Sequence, residues 1–72
     1  MPKVIKFKIL IRVLNELGYY EERQKGSHII FKNISGKITV VPKHSNGEVR
    51  GGTLGKIQRD IEISNDEFEK LK

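Results

Sequence analysis

The sequence contains no cysteine, and in a chain of 72 residues this is the strongest constraint on the fold. Disulfide bonds and thiolate metal ligands are excluded, so hydrophobic packing must hold the structure together. A chain this short buries only about 60% of the surface that it exposes when unfolded. We therefore expect one economical domain over residues 1–72, in a reducing compartment such as the cytoplasm.

Apolar runs in this chain are too short for a membrane. The longest are three residues, as in Ile9-Leu10-Ile11, whereas a membrane-spanning helix needs about 20. No apolar signal segment follows the basic start Met1–Lys3. We expect no membrane partner and no export.

Positive charge is concentrated in the first three quarters of the sequence. The net charge is +5, and residues 1–56 carry 11 Lys or Arg against four Asp or Glu. Residues 57–72 carry three against five. A basic surface attracts polyanions such as nucleic acids, but charge alone supports only non-specific attraction. A solvated basic surface with no nucleic-acid role remains the alternative.

Apolar residues at the spacing i, i+3, i+4, i+7 predict a first helix. They are Phe7, Leu10, Ile11, Leu14 and Leu17. Gly18 follows at once and suits the left-handed position beyond a helix C-terminus, so we expect the helix to end at about Leu17.

Three antiparallel strands are predicted after this helix. Each run is short and is bounded by turn residues. Its residues are aromatic or β-branched, or they alternate between the two faces of a strand. The predicted strands are Tyr19–Gln24, His28–Lys32 and Ile38–Pro42, joined by turns at Lys25-Gly26 and Asn33–Lys37.

The last part of the chain is predicted to hold a loop and two short helices. Lys43–Gly52 contains two glycine turns and is typical of a mobile polar loop of about ten residues. Thr53 would N-cap a helix that ends near Asp60. Ser64 and Glu67 form a capping box that opens the last helix.

The predicted order of helix, three strands, helix and helix indicates an α+β fold. Helices would cover one face of a three-stranded antiparallel sheet, which gives a small two-layer domain with a short extra C-terminal helix. In the central strand Ile29 and Phe31 would point into the core. His28 would lie on the uncovered face.

The segment RQKGSH, residues 23–28, is the strongest candidate for a functional site. An imidazole, with an ordinary pKa of about 6.5, suits proton transfer at neutral pH. Arg23 and Lys25 could bind phosphate oxygens, Gly26 allows close approach of the backbone, and Ser27 offers a hydroxyl. RNA cleavage by the adjacent 2′-hydroxyl needs only a base and nearby cations. The alternative is a surface histidine without a role beside an ordinary hairpin glycine.

Further candidates lie later in the chain. His44, next to Lys43, could assist as an acid or contact phosphate; the alternative is an exposed loop histidine. Lys56 falls in the predicted first turn of the second helix, where a bound phosphate would relieve its conflict with the helix dipole. Ordinary capping by Thr53 is the alternative there. The two histidines do not have zinc-ligand spacing, so we expect no metal site and no cofactor.

Two motifs point to a known family. G-[aromatic]-x-x-x-R-Q-x-G-S-H occupies residues 18–28, and V-P-x-H at 41–44 is followed by G-T-L at 52–54. With these motifs the chain, from Leu10 to Leu71, resembles the HicA (YcfA-like) family, the toxin partners of HicB antitoxins. Gly55 and Gln58 depart from the cation and the leucine-like residue that relatives more usually carry.

The resemblance implies a fold similar to the double-stranded-RNA-binding domain and a ribosome-independent mRNA interferase. It makes His28 the catalytic residue, and it implies a HicB-like antitoxin that covers the catalytic face. The candidate RNA-binding residues are Arg23, Lys25, Gly26, Ser27, Lys43, His44 and Lys56. The alternatives are a non-catalytic RNA-binding module and a degenerate toxin that only binds its antitoxin.

Overall fold

A three-stranded antiparallel sheet and three helices form the frame of the protein, as the sequence predicts. The structure is a computed structural model that describes residues 4–72. The start at Met1–Lys3, and the expectation attached to it, lie outside the described residues. The elements in chain order are β1 Val4–Lys6, α1 Phe7–Glu16, β2 Tyr20–Lys25, β3 His28–Lys32, β4 Ile38–Pro42, β5 Glu48–Arg50, α2 Gly51–Asp60 and α3 Asn65–Leu71. The α+β class is confirmed.

The hydrophobic core joins the inner face of the sheet to all three helices. Ile29 and Phe31 of β3 are buried, as predicted, whereas His28 on the same strand is exposed. The helical side chains buried with them include Leu10 and Leu14 of α1, Leu54 and Ile57 of α2, and Phe68 of α3. Burial on alternating positions of β3 therefore fixes which face of the sheet is left to solvent.

A second, two-stranded sheet replaces much of the predicted mobile loop. Only residues 43–47 are loop, because β5 pairs antiparallel with β1, with Ile5 opposite Val49. Both of these side chains are buried, so the pairing adds to the core. The backbone N–H of Phe7 donates to the carbonyl of Gly47 over 2.8 Å. This bond ties the start of α1 to the loop.

The second helix begins earlier than predicted. It starts at Gly51 directly after β5, with Arg50 as the N-cap residue and no side-chain cap hydrogen bond. The prediction that Thr53 caps this helix is therefore wrong. Gly51 has a left-handed φ of 55°, which glycine adopts without strain, and this allows the sharp turn from strand to helix.

The last helix is capped as predicted. The hydroxyl of Ser64 accepts a hydrogen bond from the backbone N–H of Glu67 over 3.2 Å. Phe68 then returns to the core. In the part of the chain that the structure describes, no helix has the length and apolar character needed to cross a membrane.

Candidate functional site

The RQKGSH segment folds into the end of β2, a two-residue turn and the first residue of β3. Gly26 and Ser27 form the turn, and Lys25 pairs with His28 across it. Only Gly26 of the two turn residues has a positive φ, of 60°, which matches a type II′ hairpin turn with glycine in its first position. The side-chain amide of Gln24 donates to the carbonyl of Gly26 over 3.0 Å. The position of His28 is thus set by local structure.

We expect Gly26→Ala to destabilise the fold by about 1–2 kcal/mol, because a Cβ at positive φ is strained even where space is available. An added Cβ would meet no atom within 4 Å at Gly26, or at Gly52 in α2. Gly52 lacks a left-handed φ, so the control Gly52→Ala should instead stabilise by about 0.4–1 kcal/mol. Denaturant unfolding of both variants measures the difference. A Gly26→Ala protein as stable as the parent would contradict the strained turn.

The outer face of the sheet consists of three rows of cross-strand neighbours. Residues directly opposite each other on paired strands share a face. The row at the turn is Lys25, His28 and Pro42; the next is Arg23, Ile30 and Val40; the last is Tyr20, Lys32 and Ile38. His28 therefore lies at one end of this outer face, with a cation beside it.

A β-bulge in β2 determines which side chains join His28. Glu21 pairs with Phe31 but Arg23 pairs with Ile30, so Glu22 is an extra residue without an opposite partner. Tyr19, just before β2, is buried, and simple alternation from it would turn Arg23 and Lys25 inward. The extra residue reverses the alternation. Both cations therefore lie on the face that carries His28.

The residue after β4 lies against the same turn. The backbone N–H of Lys43 donates to the carbonyl of Ser27 over 2.7 Å, next to His28. Together with the register, this bond brings Arg23, Lys25, Ser27 and Lys43 to the end of the sheet that carries His28. His44 follows in the exposed loop, where its carbonyl accepts from the N–H of Gly47 over 3.0 Å.

Lys56 does not join this group. It lies in the second turn of α2, so the prediction of a first-turn cation at this helix is wrong. Its ammonium is 3.1 Å from the carboxylate of Asp60, which also accepts a hydrogen bond from Thr39. Thr39 is a buried, inward-pointing residue of β4. Lys56 is therefore anchored on the helical side of the sheet, opposite the face of His28.

The cations near His28 have no acidic partner in the part of the chain that the structure describes. Within residues 4–72, no ion pair involves Arg23, Lys25 or Lys43. By contrast, Lys32, at the far end of the outer face, lies 3.5 Å from Glu22. The described residues also hold no cluster of three or more His, Asp or Glu side chains that could bind a metal ion. The charges beside His28 are thus available for an anion from outside.

Arg50 and Glu48 of β5 form a separate pair beyond this group. The hydrogen bond and the charge of Arg50 lower the pKa of the Glu48 carboxyl below its ordinary value, and the charge of Lys6 adds to this effect. A carboxyl with a lowered pKa in the folded state stabilises the fold at neutral pH. That contribution is lost as the pH falls through the lowered pKa.

Comparison with known families bears directly on this site. A family model for the HicA toxin of bacterial toxin–antitoxin systems matches residues 7–63. The chain belongs to the HicA toxin family. The matched range contains the whole turn around His28 and the loop with His44. Among curated proteins, no sequence matches the chain.

Membership in the HicA family identifies the chain as a toxin and implies an antitoxin partner. The resemblance drawn from the two sequence motifs is thereby confirmed. Sequence reasoning did not identify Lys6 and Lys8, which lie near Lys43 because of the pairing of β1 with β5. These two lysines could be found from the sequence only by predicting the pairing of β1 with β5. Strands of three residues are too short for that.

Proposed function

We propose that this HicA-family toxin is a metal-independent endoribonuclease that cleaves mRNA without the ribosome, with His28 as general base or acid. The observation that carries the proposal is the exposed His28 at the end of the sheet to which the fold also brings three cations without acidic partners. Family membership supports the toxin role, and RNA is the polyanion that suits a proton-transferring histidine. The toxin would act in the cytoplasm, where mRNA is translated.

In the proposed reaction the imidazole of His28 removes the proton of a ribose 2′-hydroxyl. The 2′-oxygen attacks the adjacent phosphorus, and the bond from phosphorus to the 5′-oxygen breaks. The departing oxygen takes up a proton, from water or from His44. The products carry a 2′,3′-cyclic phosphate and a 5′-hydroxyl.

The cations supply the electrostatic part of this reaction. Lys25 is the cross-strand neighbour of His28, and residues opposite each other in antiparallel strands lie about 4.5–5.5 Å apart between Cα atoms. Lys43 is held at the turn by its bond to Ser27. Both ammonium groups can stabilise the charge that develops on the non-bridging oxygens. Arg23, one row further, would bind a neighbouring phosphate.

The antitoxin is proposed to be HicB-like and to cover the outer face of the sheet. Large apolar side chains on this face remain exposed: Tyr20 by 49%, Ile38 by 51% and Val40 by 37%. Exposed apolar surface next to charged residues is typical of protein interaction sites. A partner seated there would block access to His28, so docking and inhibition would be one event.

The function is tested with a synthetic RNA oligonucleotide, the DNA of the same sequence, and an RNA with one 2′-deoxy nucleotide at the cleavage site. We expect the toxin to cleave only the unmodified RNA, in the presence of EDTA and without ribosomes, and to leave a 2′,3′-cyclic phosphate. Cleavage of the DNA or of the 2′-deoxy RNA would contradict the mechanism. Salt-dependent binding without turnover would contradict the nuclease and favour a plain RNA-binding module.

A further inference from the structure

A cleft adjoins the His28 site and shares Lys43 and His44 with it, but its other side chains have no role in the proposed reaction. Its volume is about 560 Å³, and it lies between the N-terminus of α1 and the 43–47 loop. The hydrogen bond from Phe7 to Gly47 joins its two sides. Because β1, α1 and the loop all contribute to it, the cleft exists only in the folded protein.

Three lysines line this cleft, and no acidic residue does. They are Lys6, Lys8 and Lys43. Lys6 is opposite Glu48 in the β1–β5 ladder, but among the described residues Glu48 forms its ion pair with Arg50, at 2.6 Å. None of the three lysines has an ion pair within residues 4–72. The cleft is therefore strongly attractive to an anion.

The N-terminus of α1 reinforces this attraction. Lys6 is the N-cap residue of the helix, its side chain makes no capping bond, and the first turn contains no acidic residue. A cation at this position is opposed by the helix dipole. The contrast is α3, where Ser64 caps the helix and Asp66 and Glu67 lie in the first turn. A bound anion would supply the negative charge that the first turn of α1 lacks.

The wall of the cleft is apolar and half-buried. Phe7 and Ile9 pack against the core with one side and line the cleft with the other. An apolar wall next to cations suits a nucleotide better than a free inorganic ion, because a base or ribose can contact the wall while its phosphate contacts the lysines. The cleft thus combines cations for a phosphate with an apolar wall for a base or ribose.

Lys43 connects this cleft to His28. Its backbone is bonded to Ser27, next to His28, while its ammonium lies 5.9 Å from the centroid of the Phe7 ring. An RNA strand whose scissile phosphate lies at His28 therefore has a continuous path of positive charge into the cleft.

We propose that the cleft is a subsite for the nucleotide that flanks the cleaved phosphodiester in single-stranded RNA. Lys6 and Lys8 bind its phosphate, and the wall formed by Phe7 and Ile9 receives its base. The inference rests on the proposed function in one respect, that the strand bound is the substrate. An unpaired strand is required because the base must leave a stack to contact the wall.

The first test measures affinity without cleavage. In a His28→Ala background, the double variant Lys6→Gln/Lys8→Gln is compared with Lys37→Gln/Lys70→Gln, which removes the same charge at two positions that do not line the cleft. The probe is a fluorescein-labelled RNA of eight nucleotides, followed by anisotropy. We expect the cleft variant to raise Kd roughly tenfold and to lower the salt slope by about 0.7 per lost phosphate contact. The control should stay within about twofold. Equal losses in the two variants would overturn the proposal.

The second test uses the active toxin. The cleft variant should raise KM for cleavage of the same RNA while kcat changes by less than about twofold, because the lysines bind ground state and transition state alike. A loss confined to kcat would overturn the subsite. If the parent toxin cleaves no RNA, the proposed function fails. The affinity comparison then still shows whether the cleft binds RNA. Loss of antitoxin binding with unchanged RNA affinity would show a protein contact and overturn the proposal.

Discussion

Replacing His28 with alanine is expected to lower the rate of RNA cleavage by about 10²–10⁴-fold, which is the usual contribution of a positioned acid–base group. The side chain is exposed and has no hydrogen-bond or ion-pair partner among residues 4–72. The free energy of unfolding should therefore change by no more than about 0.5 kcal/mol. Initial cleavage rates, thermal melting and the Kd for labelled RNA together separate lost chemistry from lost folding or binding.

Lys32→Ala is the matched control for this variant. Lys32 lies on the same strand and the same face as His28, at the opposite end, so its loss should change the cleavage rate only a few-fold. His44→Ala addresses the second proton transfer: if His44 protonates the leaving oxygen, the loss is again large. Cleavage by the His28→Ala protein at the parental rate would contradict the assignment of His28 as the catalytic residue.

The second large effect concerns the core that positions this site. Ile57 of α2 is 1% exposed, whereas Ile34 in the β3–β4 turn is 98% exposed. We expect Ile57→Ala to destabilise by about 2–5 kcal/mol through lost burial and the cavity left behind. The same substitution at Ile34 should cost less than about 0.5 kcal/mol. Small domains have only about 5–15 kcal/mol of stability, so the first variant approaches global unfolding.

Urea unfolding of the two isoleucine variants measures these differences. An Ile57→Ala protein that loses cleavage should lose its folded circular dichroism signal as well, unlike His28→Ala. Similar midpoints for the two isoleucine variants would contradict the assignment of Ile57 to the core.

Elements that rest on local sequence patterns were predictable. The apolar stripe of α1 and the alternation in β3 are signals within ten residues, and burial of one face is what turns such a pattern into structure. The Ser64 cap is equally local, because donor and acceptor lie three residues apart. In each case the pattern that predicts the element lies within a short stretch of sequence.

Elements that rest on long-range contacts were not predictable. The strands β1 and β5 have three residues each and are separated by more than 40 positions, so neither carries a recognisable period. Without β5, the pair Gly51-Gly52 resembles loop, since glycine disfavours helices. The misplaced start of α2 and the first-turn position expected for Lys56 both follow from this single omission.

The candidate site divides in the same way. Lys25, Gly26 and His28 lie in one hairpin, and their proximity follows from the turn that joins them. The cleft with Lys6 and Lys8 depends on the pairing of β1 with β5, two strands that lie more than 40 positions apart. No local sequence pattern predicts this pairing, and only the folded structure brings these lysines near Lys43.

The bulge at Glu22 also affects how copies of the chain meet one another. β2 is an edge strand of its sheet and its residues are exposed. An approaching strand of a second copy would find the ladder interrupted by the extra residue and flanked by the charges of Glu21 and Arg23. Bulges and charges on an edge are known to hinder sheet growth between molecules. The bulge that brings two cations to the face of His28 is therefore also expected to hinder strand pairing between copies at this edge.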